Sequence, residues 1–148
     1  ESVSYWVPYS SATELTNFNA QSHFSSSPTP REVLSFAWVR SETSRSLTLA
    51  IGPDDGAKVW LNGELLDEIS TCQGSVVDNY TYDVFLNSGW NRLLIHIRDG
   101  GGGWSNYVRF LDSGSPVTDL QISFTEGFYE DYQNDSDNDG IGDMCDIE

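Results

Sequence analysis

Basic residues are scarce in this chain. Seven Lys and Arg residues stand against 23 Asp and Glu residues, which gives the 148 residues a formal net charge of −16 at pH 7. Such a surface repels phosphate groups, so neither nucleic-acid binding nor electrostatic docking on anionic lipids is expected. No apolar run reaches the about 18 residues that a membrane-spanning helix requires, so membrane insertion is not expected either.

Cysteines are also few, since only Cys72 and Cys145 are present. Two cysteines do not make a disulfide scaffold, but one long-range bridge is possible outside the cytosol. The chain begins at Glu1 rather than Met, so we expect a mature or excised form. A single lysine and abundant Ser, Thr, Asn and Gly are typical of secreted β-proteins, and we expect an extracellular or cell-surface location.

Alternating apolar and polar residues predict strands along most of the chain. Breakers rich in Gly, Pro, Asn and Ser separate these runs, and no amphipathic helical stripe is present. Asn62-Gly63 lies between two apolar runs and predicts a hairpin with a type I′ turn, because both central residues of that turn need positive φ. The proposed strands cover residues 3–9, 33–41, 45–52, 57–61, 64–69, 80–86, 91–98, 104–111 and 119–124.

These short strands predict an all-β fold, an antiparallel jelly-roll β-sandwich with a calcium-binding loop at its C-terminal end. The sandwich domain is expected to span residues 1–125, and residues 126–148 form a separate acidic segment. Residues 10–32 are expected to be a long polar connection without regular structure, since prolines and turn formers dominate them. The strand at 3–9 can then pair within its own sandwich or with a neighbouring molecule, and pairing within its own sandwich is favoured.

The acidic segment carries the most specific motif in the chain. Residues 135–146 place carboxylates at loop positions 1, 3, 5, 9 and 12, with glycine at position 6. This spacing wraps a short loop around a hard cation such as Ca²⁺, whereas the alternative is a solvated acidic tail. No amphipathic helices flank the loop, so it is not an EF-hand. The predicted ligands are the side chains of Asp135, Asp137, Asp139, Asp143 and Asp146 and the backbone carbonyl of Ile141.

This motif, Asp-x-Asp-x-Asp-Gly-Ile-Gly-Asp-x-Cys-Asp, resembles a thrombospondin type 3 repeat, an extracellular calcium-binding unit. The resemblance covers about the last 15 residues and includes Cys145. Family repeats usually occur in tandem and carry a cysteine that pairs within the array, but one repeat is present here. The resemblance therefore leaves Cys72 as the only candidate partner of Cys145, and it implies a structural ion that pins the tail to the sandwich.

A second resemblance involves residues 54–66, which read Asp-Asp-Gly-x-x-Val-Trp-x-Asn-Gly followed by Glu-Leu-Leu, and residues 89–97, which begin Gly-Trp-Asn. Together they resemble galactose-binding-like jelly rolls, as in the sugar-binding domains of family 2 glycoside hydrolases and in several carbohydrate-binding modules. The resemblance covers roughly residues 33–124. It implies the fold more strongly than a function, since many such domains only support a neighbouring module.

Carbohydrate recognition generally needs an aromatic platform with convergent polar groups. The glycine run at residues 100–103 would let a loop present the Trp104 ring. The alternative is that Trp38 and Trp60 belong to the core and that the Trp104 ring only packs to hold the glycine loop in place. The candidate carbohydrate-binding residues are Trp90, Trp104, Tyr107, Asp99, Asn106 and Arg109.

Catalysis finds little support in the sequence. Serine-hydrolase, zinc-protease, phosphate-loop and cysteine-nucleophile signatures are all absent. Asp54 and Asp55 are adjacent, so on a strand their side chains would point to opposite faces, and we interpret them as turn and surface charges. We therefore do not expect an enzyme. The sequon at Asn79 predicts a glycosylation site.

Two functions remain open at this stage. In the first, the chain is a non-catalytic, calcium-stabilised structural subunit that associates with copies of itself into an extracellular or surface filament. In the second, it is a carbohydrate-binding module of a larger secreted enzyme or adhesin, with glycans as partners. The first is favoured, because a detachable strand at 3–9 and an isolated calcium loop at 135–146 suit head-to-tail assembly.

Overall fold

The structure is a computed structural model that describes residues 14–20 and 30–124 of the chain. Within these residues the regular structure consists of strands and one short 3-10 turn at Phe18–Ala20. The predicted all-β fold is confirmed. The strands are β1 (Leu15–Asn17), β2 (Arg31–Ser41), β3 (Arg45–Asp54), β4 (Gly56–Leu61), β5 (Glu64–Ile69), β6 (Tyr80–Leu86), β7 (Gly89–Asp99), β8 (Ser105–Asp112), β9 (Ser115–Pro116) and β10 (Gln121–Ser123).

The strands form two antiparallel sheets. Sheet A has the order β1-β8-β3-β6, and β9 also pairs with β8. Sheet B has the order β10-β2-β7-β4-β5, in which β2 and β7 pair along their full lengths from Arg31↔Asp99 to Ser41↔Gly89. Every second residue of β7 is buried, as the sequence pattern predicted for a strand with one face on the core. The core therefore lies between the two sheets, as in a β-sandwich.

Most predicted strands are present. The predictions for residues 64–69 and 80–86 coincide with β5 and β6, and the other predicted strands in the described ranges agree to within about two residues at each end. The prediction for residues 3–9 lies outside the described residues.

The Asn62-Gly63 hairpin is confirmed. Asn62 has φ of 52° and Gly63 has φ of 87°, and the turn joins β4 to β5 in antiparallel pairing. The Asn62 side chain also ties the turn to β7, since its Oδ1 accepts a hydrogen bond from the Arg92 N–H at 2.8 Å and its Nδ2 donates to Asn91 Oδ1 at 2.9 Å. A turn chosen by local sequence is thus fixed in place by the neighbouring strand.

Residues 10–32 differ from the expectation that they lack regular structure. Leu15–Asn17 form β1, which pairs with β8, and β2 already begins at Arg31. Phe18 is buried, its ring centroid lies 5.2 Å from that of Trp104, and its N–H donates to the Trp104 carbonyl at 2.9 Å. The order of this segment comes from packing against distant residues, which local composition does not reveal.

Candidate functional site

Three carboxylates meet at one end of the sandwich and form what we call the acidic triad. Asp54 is the last residue of β3, Asp55 lies at the bend before β4, and Asp99 is the last residue of β7. One carboxylate oxygen from each residue lies within 4.8 Å of those of the other two. The expectation that the side chains of Asp54 and Asp55 diverge is wrong here, because alternation holds along a strand and Asp55 lies in a bend.

Backbone donors hold two members of the triad in place. Asp55 Oδ1 accepts a hydrogen bond from the Gln73 N–H at 3.0 Å, and its Oδ2 accepts one from the Gly100 N–H at 2.8 Å. Asp99 Oδ1 accepts a hydrogen bond from the Gly101 N–H at 3.0 Å. The positions of these carboxylates are therefore set by the loop after β7 and by the loop between β5 and β6.

Asp54 is held differently. The residue is only 9% exposed, and its carboxylate lies close to those of Asp55 and Asp99. Burial raises the pKa of the Asp54 carboxyl, and the negative charges of Asp55 and Asp99 raise it further, while Arg31 partly offsets this rise. A largely buried carboxylate beside two others is costly in its charged form unless a cation or a proton compensates it. Asp54 is therefore the member of the triad that most needs a partner.

The glycine-rich loop after β7 closes directly over the triad. A Cβ atom added at Gly103 would lie 2.4 Å from Asp54 Oδ2, which is closer than side-chain atoms can approach. The loop can therefore follow this path only if residue 103 has no side chain, unless the Asp54 carboxylate moves. The glycine run identified in the sequence thus permits backbone to approach a carboxylate.

One guanidinium lies against the triad. Arg31 Nε donates to Asp99 Oδ2 at 2.6 Å, and the guanidinium carbon of Arg31 lies 4.6 Å from the centre of the Trp104 ring. Trp104 is 1% exposed and also packs against Phe18. The three carboxylates and this guanidinium together carry a formal charge of −2, which a single divalent cation would neutralise.

This arrangement suits a hard cation. Ca²⁺ binds six to eight oxygen atoms in a flexible geometry, and carboxylates together with backbone carbonyls are its usual protein ligands. Asp54, Asp55 and Asp99 would supply the carboxylate oxygens. The triad was not predicted as a site from the sequence, in which Asp99 was assigned to sugar binding and the Asp54-Asp55 pair to surface charge.

The structure does not bring the six predicted carbohydrate-binding residues together. Trp104, Asp99 and Asn106 are buried at the end of the sandwich that carries the triad. Strand alternation places Tyr107 on the outer face of sheet A and Trp90 on the outer face of sheet B. Trp104, the proposed platform, lies in the core and offers no open face to a ligand.

The Arg109 guanidinium is also occupied, because it forms ion pairs with two carboxylates. Its Nε donates to Asp78 Oδ1 at 2.8 Å, and its Nη1 contacts both carboxylate oxygens of Glu14 at 3.2 Å. The hydrogen bond from Arg109 lowers the pKa of the Asp78 carboxyl. Arg109 therefore joins β1, β8 and the loop before β6.

The remaining predicted sites are only partly described. Cys72 is an exposed free cysteine, and Asn79 is exposed at the turn before β6. The predicted calcium loop and Cys145 lie outside the described residues, and this holds for Asp135, Asp137, Asp139, Ile141, Asp143 and Asp146.

No protein-family model matches the sequence, and searches of curated proteins and of solved structures found no significant match. The antiparallel two-sheet sandwich is present, but the two family resemblances rest on the sequence motifs alone. Across the described ranges, no helix has the length and apolar character needed to cross a membrane.

Proposed function

We propose that the chain is a non-catalytic, extracellular β-sandwich module that binds Ca²⁺ and serves as a structural subunit of a self-associating assembly. The observation that carries the proposal is the acidic triad, in which the largely buried Asp54 carboxylate lies beside those of Asp55 and Asp99. A bound cation would satisfy this carboxylate and reduce its repulsion with Asp55 and Asp99.

A structural role fits the position of the triad. Its members and their partners come from the ends of β3 and β7, the start of β2, and the loop between β5 and β6. An ion bound here would link four separate segments of the chain at one end of the sandwich. Ca²⁺ is favoured over Mg²⁺, because Mg²⁺ demands near-ideal octahedral geometry and usually keeps several waters.

Self-association has support from the edge of sheet A. Strand β6 is seven residues long and pairs only with β3 among the described strands. Phe85 on this strand is 55% exposed. An unpaired edge with an exposed aromatic side chain can accept a strand from a second copy. This proposal is preferred over carbohydrate binding, because three of the six candidate sugar-binding residues are buried and the other three are divided between the outer faces of the two sheets.

Calorimetric calcium titration tests the metal site. Asp54→Asn should abolish or strongly weaken one class of calcium sites, and it should reduce the stabilisation that calcium gives in thermal unfolding. Glu64→Gln is the matched control, since Glu64 is an exposed carboxylate on β5. Asp139→Asn separates any site in residues 135–146 from the triad. Unchanged calcium binding by Asp54→Asn would rule out the triad as the site.

Light-scattering measurement of molar mass, with calcium and then with chelator, tests the assembly. Copies that join through β6 should form larger species, and Phe85→Lys should reduce them because it places a charge on the edge strand. A protein that remains monomeric at all concentrations in both conditions would contradict self-association. It would not affect the calcium proposal, which the titration tests separately.

A further inference from the structure

The outer face of sheet B is unusually apolar for a surface. Leu94 on β7 lies beside Trp60 on β4, which in turn is opposite Leu65 on β5. Leu34 on β2 and Leu65 are each about half exposed. The solvent face of an antiparallel sheet normally carries polar residues, so a contiguous apolar centre marks an interaction surface.

The same face collects the positive charge of the chain. Strand alternation and register place Arg40, Lys58, Arg92 and Arg98 on it, which are four of the seven basic residues. Glu32 and Glu68 share the face, and ion pairs join Lys58 to Glu68 and Arg40 to Glu42. Arg92 and Arg98 are exposed, and within the described ranges neither side chain has an ion pair. In a chain of net charge −16, the Arg92 and Arg98 guanidinium groups beside an apolar centre favour an acidic ligand that carries aromatic groups.

We propose that this outer face of sheet B is the docking surface for residues 125–148 of the same chain. That segment holds nine acidic residues, no basic residue, and the aromatic residues Phe128, Tyr129 and Tyr132. Its composition is complementary to the face in both charge and apolar character. The inference goes beyond the proposed function, since it assigns a surface and an occupant that do not involve the triad.

The chain path supports an occupant from the same molecule. Strand β10 pairs with β2 at the edge of sheet B, with Ser123 opposite Trp38, so the residue that precedes the segment, Phe124, follows directly from this edge. A segment of this length spans up to about 80 Å when extended, whereas the four strands from β2 to β5 are roughly 15–20 Å across. A tether this short gives an effective concentration on the order of millimolar, so modest contacts suffice for docking.

Paramagnetic broadening in the full-length chain tests the proposal. A nitroxide is attached to Gln133→Cys in a background where Cys72 and Cys145 are replaced by Ser. Amide signals of Trp60 and Leu94 should broaden at least several-fold more than that of Thr81 on sheet A. The broadening should weaken in about 1 M salt, because the charged contacts are screened.

Charge variants identify the contacts. Arg92→Glu with Arg98→Glu should remove the broadening, whereas Ser113→Glu with Ser115→Glu, which adds charge at the exposed turn after β8, should leave it intact. Retained amide spectra establish that each variant is folded. Broadening that survives the double Arg reversal would overturn the proposal.

Mixed samples separate the other occupants. Nitroxide on unlabelled copies, mixed with isotope-labelled copies, should give no broadening at Trp60 or Leu94. Broadening in that mixture alone would assign the face to a second copy. Release of the segment by a neutral oligosaccharide but not by salt would assign it to a glycan. Either result, or equal broadening on both sheets, overturns docking within one chain.

Discussion

Removing the guanidinium beside the triad should destabilise the protein and increase its response to calcium. The change is Arg31→Met, which keeps most of the apolar stem of the side chain. The Arg31 side chain is 10% exposed and the Asp99 side chain is 0% exposed, so this is a buried ion pair. Breaking such a pair by removing one partner costs about 3–5 kcal/mol, because it leaves an uncompensated buried charge.

The contact between Arg31 and the Trp104 ring adds to this loss. A cation over an aromatic face contributes roughly 0.5–2 kcal/mol. We therefore expect a loss of about 4 kcal/mol or more in chelator, which corresponds to roughly 10 °C in melting temperature for a chain of this size. Stability is measured by denaturant unfolding and by thermal scans, each with chelator and with excess calcium.

Calcium should stabilise the Arg31→Met variant more than the natural chain, because the variant no longer places a positive charge against Asp99. The control is Arg40→Met, which breaks the pair between Arg40 and Glu42, whose side chains are 39% and 68% exposed. An exposed pair contributes about 0–1 kcal/mol, so this control should change little. A loss below about 1 kcal/mol for Arg31→Met in chelator would refute the assignment of a buried pair.

Three further substitutions test other parts of the structure. Gly52→Ala would place Cβ 1.8 Å from the Val76 carbonyl oxygen and should cost about 2–3 kcal/mol or more, whereas Gly74→Ala has nothing within 4 Å and should cost less than about 1 kcal/mol in the same denaturation assay. Asn91→Leu should cost about 3 kcal/mol, since the buried Asn91 amide satisfies three backbone carbonyls; a neutral result would contradict this. The pKa of Asp78 is lowered on folding by its guanidinium partner, so its stabilisation is present above the unfolded pKa and is lost as pH falls through the folded pKa. Asp78→Asn should therefore weaken the protein at pH 7 and match the natural chain in strong acid, and a pH-independent difference would contradict this account.

The strands and the β4–β5 hairpin could be predicted because their signals are local. Period-two alternation within β7 and the Asn62-Gly63 turn depend on neighbouring residues only. The triad could not be predicted in this way, because it requires the register of β7 against β4 and the bend at Asp55. The expectation that the glycine run at residues 100–103 presents the Trp104 ring to a ligand is wrong, because Trp104 is 1% exposed in the core. The local sequence does not tell whether this ring turns outward or into the core.

The loop between β5 and β6 places an exposed thiol close to the triad. Gln73 donates its N–H to Asp55, and the preceding residue is the exposed Cys72. A solvent-sensitive dye attached to Cys72 would lie one residue from the Gln73 N–H that binds Asp55. Its emission should therefore change when a cation binds the triad, without any engineered substitution. Because the Gln73–Asp55 hydrogen bond connects this loop to the triad, the rate at which Cys72 reacts with a thiol reagent should also change when the carboxylates bind an ion.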